Sequence, residues 1–223
     1  MAKATDIVAP VFARLKPDAS ARRRKILVAR DVFRMTVDTK SATESFVLQT
    51  ARLSLRRFRP DDAEAIFAII GDDIAMQYYP KTFNRSDAVQ WIERNLRRYR
   101  EHGYGLFAVT LKGSPDVIGD CGVIKQDVEG ETLLEVGYHL RRDQWGHGYA
   151  TEAARACMGL AFHSYGADKV ISLIRPENVP SRRVAERNGM KLERQAIHYG
   201  LPHLVYAMRR EEFGSGLGRG VGA

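Results

Sequence analysis

Cysteine is scarce in this chain: Cys121 and Cys157 are the only two among 223 residues. One pair cannot staple a small secreted fold, and both lie inside apolar runs, so they read as buried, reduced thiols. Long hydrophobic runs are missing as well. No stretch approaches the roughly 20 apolar residues that a membrane helix requires, and the first residues lack the apolar block of a secretory signal. The expectation is a cytoplasmic protein with no membrane partner. There is no internal repeat and no acidic excess. The net charge is +8, but residues 1–47 hold ten Lys/Arg against five Asp/Glu, which leaves a surplus of only three for the other 176 residues. The basic excess therefore belongs to an arm containing Arg22-Arg23-Arg24-Lys25, and such a run is usually a solvated segment. A nucleic-acid partner is not expected, and Asp6, Asp18, Asp31 and Asp38 argue against a transit peptide.

With 44% hydrophobic residues, what remains suffices for one domain with a sizeable core. Residues 1–47 show no sustained period and read as a basic, disordered arm; 48–213 form the domain; 214–223 form a flexible Gly-rich tail. Thr50 to Phe58 alternates as a half-buried strand does. A helix over Asp62–Ile70 follows, closed near Gly71. A second helix opens at Ser86-Asp87 and carries Val89, Ile92, Leu96 and Tyr99 at spacings of three and four until Gly103. Its Arg94, Arg97, Arg98 and Arg100 read as a solvated positive face. Three β-rich runs come next, Leu106–Leu111, Val117–Ile124 and Leu133–Leu140, joined by turns short enough for an antiparallel meander. A helix from Ala150 to Phe162, a continuous apolar strand Lys169–Ile174, a short helix Ser181–Asn188 behind Pro180, and strands Leu192–Ala196 and Leu204–Met208 complete the domain.

The third of those runs leads straight into Trp145-Gly146-His147-Gly148-Tyr149-Ala150-Thr151, a Gly-x-Gly turn that opens a helix. Glycines let backbone approach an anion closely, and the first N–H groups of a helix have no internal partner and carry partial positive charge. The turn is thus a seat for a pyrophosphate. A dinucleotide-binding fingerprint would need a third glycine where Thr151 stands.

Four segments, in this order and at this spacing, give the domain a family resemblance: Ile118-Gly119-Asp120-Cys121-Gly122, Glu135-Val136-Gly137-Tyr138, Trp145 through Ala153, and Asn178 through Gly189. Residues from about Thr50 to Phe213 resemble a GNAT N-acetyltransferase, and within that superfamily the RimJ/RimL-like branch. The resemblance implies an α/β (α+β) GNAT fold, with a mixed central sheet of about seven strands splayed between its fourth and fifth. It implies acetyl-CoA as cosubstrate, no metal, and direct acetyl transfer to a primary amine, on a small molecule or a protein N-terminus. A homodimer is compatible with it. Pantetheine would pair with backbone around Tyr138, His139 and Leu140; the pyrophosphate would sit on Trp145, Gly146, His147, Gly148, Tyr149, Ala150 and Thr151; Asn178 and Ser181 would make further CoA contacts.

Acyl transfer to an amine needs a base for the ammonium and a proton donor for the departing thiolate. Glu135 is the candidate base, because a carboxylate buried between strands is pushed toward neutrality. His139 is the alternative: Glu135, Gly137 and His139 share one face of their strand, and spacing alone does not separate them. The chain departs from the family where many members carry a tyrosine acid seven residues after the asparagine. That position is Ala185, and Ser181 is the candidate in its place. Asp143 stands where the wider family often has Gln or Arg, which removes one positive phosphate contact. Tyr78-Tyr79-Pro80, Tyr104 and His198 to His203 fall in acceptor-lining regions. Two rivals remain, a non-catalytic acyl-CoA sensor of the same fold and a ribosome-associated protein guided by the basic arm.

Overall fold

The computed structural model describes residues 47–215. The basic arm expected over 1–47 lies outside them but for Val47, which belongs to a strand and not to the arm, and so does most of the Gly-rich tail; of that tail, Gly214 and Ser215 close a short helix, Arg210–Ser215.

Eight strands form one sheet: β1 (Val47–Gln49), β2 (Leu53–Arg56), β3 (Leu106–Leu111), β4 (Val117–Val128), β5 (Glu131–Leu140), β6 (Lys169–Ile174), β7 (Lys191–His198) and β8 (Leu201–Arg209). Their order is β1-β2-β3-β4-β5-β6-β8-β7, antiparallel throughout except between β5 and β6. The sequence expectation of about seven strands omits β1, a three-residue segment too short to show a period. The expected strand over Thr50–Phe58 is confined to Leu53–Arg56, because Thr50 takes the Leu53 N–H on its hydroxyl and turns the chain between β1 and β2. The fourth and fifth strands of the sequence reading are therefore β5 and β6.

Helices α1 (Ala63–Ile70) and α2 (Arg85–His102) cover one face. α2 begins one residue before Ser86, since Asn84 and Asp87 cap each other's backbone N–H. Its buried stripe is Ala88, Ile92, Asn95 and Tyr99, not the Val89–Ile92–Leu96–Tyr99 phase read from hydropathy. Val89 is 45% exposed. The phase turns on Asn95, a polar residue that the core accepts because its amide oxygen takes the Leu106 N–H at 2.9 Å and its amide nitrogen donates to the Trp91 carbonyl at 2.9 Å.

The crossover helix α3 (Tyr149–His163) lies against the other face and connects β5 to β6. Ala156 to Phe162 are buried without a break, as suits a helix packed under neighbouring elements. Cys121 on β4 and Cys157 on α3 are both fully buried free thiols, with Sγ atoms 3.6 Å apart. α4 (Val179–Arg187) starts two residues earlier than the sequence suggests, with Asn178 as its cap: the Asn178 side-chain oxygen accepts the Ser181 N–H at 3.1 Å. β7 and β8 form a hairpin whose turn residues Tyr199 and Gly200 both have positive φ, 48° and 73°.

Candidate active site

Between β5 and β6 the ladder opens. The two strands share a single register position, Glu135 with Ile171, and the groups immediately beyond it are satisfied by side chains instead of backbone. Leu173 N–H donates to Glu135 Oε1 at 3.3 Å, and Ser172 Oγ donates to the Val136 carbonyl at 2.8 Å. Farther out, the Leu140 carbonyl accepts Trp145 Nε1–H at 2.8 Å. Strand alternation then turns the N–H and C=O of Tyr138 toward the same gap. A cleft of about 720 Å³ runs through the opening and reaches both faces of the sheet.

On the α3 and α4 face, Gly146 and Gly148 adopt left-handed φ of 80° and 79°, and α3 begins at Tyr149. No side chain caps this terminus, so the first N–H groups of α3 are offered outward. The loop is braced from the opposite edge of the sheet. Glu152 accepts from Thr50 Oγ1 at 2.6 Å, Arg52 N at 2.8 Å and Arg52 Nε at 2.7 Å, while Arg52 Nη1 donates to the His147 carbonyl at 2.9 Å. The Arg52 guanidinium also lies over the Tyr149 ring, 4.7 Å from its centre. Asp143 is clasped by Arg141 through two bonds of 2.7 and 2.9 Å, which hold its carboxyl down at about 2. Its charge is thus matched within its own turn.

Of the residues expected at the donor site, Tyr138, His139, Leu140, Trp145, Gly146, Gly148, Tyr149, Ala150, Thr151, Asn178 and Ser181 all line the cleft. His147 does not line it: its ring stacks on Tyr149 and its carbonyl serves Arg52. Tyr138 Oη donates to the Ser181 carbonyl at 3.0 Å and so ties β5 to α4 across the gap. Because Asn178 provides the helix cap, the Ser181 hydroxyl is left without a hydrogen-bond partner among the described residues.

The odd-numbered residues of β5 face α2. Glu135 is 9% exposed and lines the cleft, its Oε2 accepting from Gln126 Nε2 at 2.8 Å. Burial raises its carboxyl above the ordinary range, against the Gln126 and Leu173 hydrogen bonds and the charges of His139 and Arg98. His139 is held at both ring nitrogens, Nδ1 by Asp120 Oδ1 at 2.7 Å and Nε2 by Tyr79 Oη at 2.5 Å. Asp120, 1% exposed, takes Trp91 Nε1–H on its other oxygen at 2.8 Å. Burial acts to lower the His139 pKa, yet the charge and hydrogen bond of Asp120, with the Glu135 charge, outweigh it and raise the value. A β-carbon on Gly119 would lie 2.3 Å from the His139 carbonyl oxygen; the bare glycine in Gly119-Asp120 is what lets β4 and β5 approach closely enough to form this pair. The sequence brought Asp120 forward only as part of a motif. Its link to His139, and that of Tyr79 60 residues away, carry no local signal.

Near Leu140, then, one opening joins the glycine turn and the uncapped start of α3 on one face to a carboxylate and an imidazole on the other. Among the described residues there is no cluster of His, Cys, Asp and Glu able to hold a metal, and no helix long and apolar enough to cross a membrane.

A family model described as the acetyltransferase (GNAT) domain matches residues 52–191. YkkB, an uncharacterized protein of Bacillus subtilis (strain 168), is 34% identical over 160 residues, 71% of this chain and 93% of the relative. An acetyltransferase of the GNAT family from Bacillus anthracis superposes with a TM-score of 0.64 at 28% identity, covering 75% of this chain and all of that one. RimJ of Mycobacterium smegmatis, solved in complex with CoA-disulfide, shares the fold at a TM-score of 0.57 and 23% identity, over 73% of this chain and 84% of its own.

Proposed function

Because this chain belongs to the GNAT acetyltransferase family, we propose that it is an acetyl-CoA-dependent N-acetyltransferase that moves the acetyl group directly to a primary amine. The carrying observation is the splayed β5–β6 pair, which joins the glycine turn of α3 on one face to Glu135 on the other through one cleft. Acetyl-CoA would supply an activated thioester.

The residues fit that group. The uncapped N-terminus of α3 and the left-handed Gly146 and Gly148 present N–H groups to a diphosphate, with helix-dipole charge behind them. Tyr138 offers its backbone N–H and C=O to pantetheine amides, much as an edge strand takes up a partner. Ser181, its hydroxyl unengaged, donates to the departing sulfur.

Glu135 takes the acceptor's proton through a water molecule. Its burial supports this role, since a carboxylate raised toward neutrality is a stronger base than one in solvent. His139 works beside it as a charge. Its raised pKa keeps the ring protonated to higher pH, and an imidazolium donates from Nδ1 to Asp120 and from Nε2 to Tyr79. The Tyr79 hydroxyl proton is then free to point into the cleft. Cys121 and Cys157 take no part, because both are fully buried; burial, and then the neighbouring Cys157, also push the Cys121 thiol well above its ordinary value, which disfavours the thiolate that a covalent route would need there.

A thiol-release assay with acetyl-CoA against a panel of amines and N-terminal peptides tests the proposal. Turnover that falls by roughly a hundredfold or more in Glu135→Gln, with CoA affinity retained, is the expected result. Tight CoA binding without turnover on any acceptor would turn the assignment to an acyl-CoA sensor.

A further inference from the structure

The acceptor half of the cleft contains two cations that the sequence reading placed in solvent. Trp91, Arg94 and Arg98 succeed one another at spacings of three and four, so they share the edge of α2 beside its buried stripe. All three line the cleft. Trp91 packs edge-on against the His139 ring at 5.3 Å, and the Arg94 guanidinium lies 5.5 Å from the Trp91 ring centre. This places the arginines on the His139 face of the sheet, away from the glycine turn and α4.

Neither guanidinium has a carboxylate within 4 Å among the described residues. Arg98 makes one long bond, 3.3 Å, to the Asn95 amide oxygen, and that oxygen already serves Leu106 N–H. Both side chains are partly withdrawn from water, and burial is the leading influence on each, lowering its pKa; for Arg98 the positive Arg94 adds to the effect. The acids that attract them across a distance, Asp87 for Arg94 and Glu135 for Arg98, are already engaged, Asp87 by Lys81 and the Asn84 N–H and Glu135 by Gln126 and Leu173. Two half-desolvated cations on one helix edge, neither in an ion pair among the described residues, are unfavourable unless an anion completes them.

We infer that the acceptor is a primary amine that also carries an oxyanion, a carboxylate or a phosphate-type group, bound by Arg94 and Arg98 while its amine faces Glu135. Two guanidinium forks match such an anion through several charge-assisted hydrogen bonds. The same pair disfavours polyamines and other polycationic acceptors by like-charge repulsion. The required chemistry occurs in a free amino acid and in a peptide whose residue after the amino terminus is acidic.

This inference rests on the transferase reading, and the test separates the two. The full chain is given acetyl-CoA and matched acceptors: an α-amino acid, its carboxamide, a diamine of similar length, and peptides with Asp or Asn after the first residue. The anionic member of each pair should show a kcat/KM at least roughly tenfold higher, the equivalent of one charge-assisted hydrogen bond. Arg94→Gln and Arg98→Gln should each remove most of that preference while CoA affinity, which reports on folding, stays unchanged. Preference for the amino acid over the acidic peptide, or the reverse, identifies the source of the anion. Calorimetric binding of the same acceptors in the presence of CoA gives a reading without turnover: acid bound over carboxamide, with the difference lost in both variants, upholds the anion site even if no acetyl group moves. Equal handling of acids, carboxamides and diamines, or arginine variants that lower all acceptors alike, would overturn it.

Discussion

Replacing Asp120 by asparagine should strip His139 of its Nδ1 proton. The carboxylate accepts from two donors at once, Trp91 Nε1–H at 2.8 Å and His139 Nδ1 at 2.7 Å. An asparagine of the same shape has only one acceptor oxygen, and Trp91 can only donate. The asparagine oxygen must therefore face Trp91, and its NH2 must face His139 Nδ1. That nitrogen then has to accept, which leaves a neutral ring whose one proton stays on Nε2, donated to Tyr79. An imidazolium would set N–H against N–H, so the His139 pKa should drop. A hydrogen bond to a charged group contributes about 1.5–3 kcal/mol, and at a site where Asp120 is 1% and the His139 side chain 14% exposed solvent offers little replacement. The sign follows from the raised folded-state pKa: the stabilisation is complete below the unfolded value, 6.5, and disappears as pH rises through the folded one. Denaturant unfolding of both proteins across that range should give the largest gap on the acid side and a shrinking one above it. Nitrogen-15 spectra of the imidazole should report Nε2–H in the variant. A gap that does not change with pH, or an Nδ1 that stays protonated in the variant, would refute the reasoning.

Gly148→Ala should cost about 1–2 kcal/mol of stability, because φ is 79° and an L-residue is strained there. The new methyl meets nothing of the protein closer than Arg52 Nη2 at 3.5 Å; a loss of CoA affinity, measured by titration, would then reflect obstruction of the anion seat, and unchanged affinity would argue against that seat. Ser181→Ala should lower kcat by roughly tenfold or more and leave CoA affinity in place, since Tyr138 is bonded to the backbone carbonyl of residue 181 and not to its hydroxyl.

The glycine-turn half of the cleft was legible from sequence because its signals are local. A glycine pair between a strand and a helix, or an asparagine three residues before a serine, describes backbone that neighbours in sequence determine. The half that faces α2 is built across the chain. Asp120, His139 and Tyr79 are joined over separations of 19 and 60 residues, and hydropathy spacing has no means of pairing them. Arg94 and Arg98 were misread for a related reason. Hydropathy set α2 by Val89 and Leu96, whereas the buried amide of Asn95 sets it by Ala88 and Asn95. That small rotation takes two arginines from the solvent side to the cleft. The short β1 escaped because three residues cannot show an alternation.

Glu135 also has a mechanical part. With its carboxylate on Leu173 N–H, the side chain is a wedge that keeps two strands from zipping beyond their one shared position. An alanine at 135 would withdraw the wedge together with the base, leave the Leu173 amide searching for a partner, and invite the Val136 carbonyl to become it. A dead alanine variant would then report a closed seam as readily as a missing proton acceptor. Glutamine keeps the width of the wedge and changes only its affinity for a proton, so the two substitutions side by side would separate the architecture of this residue from its chemistry.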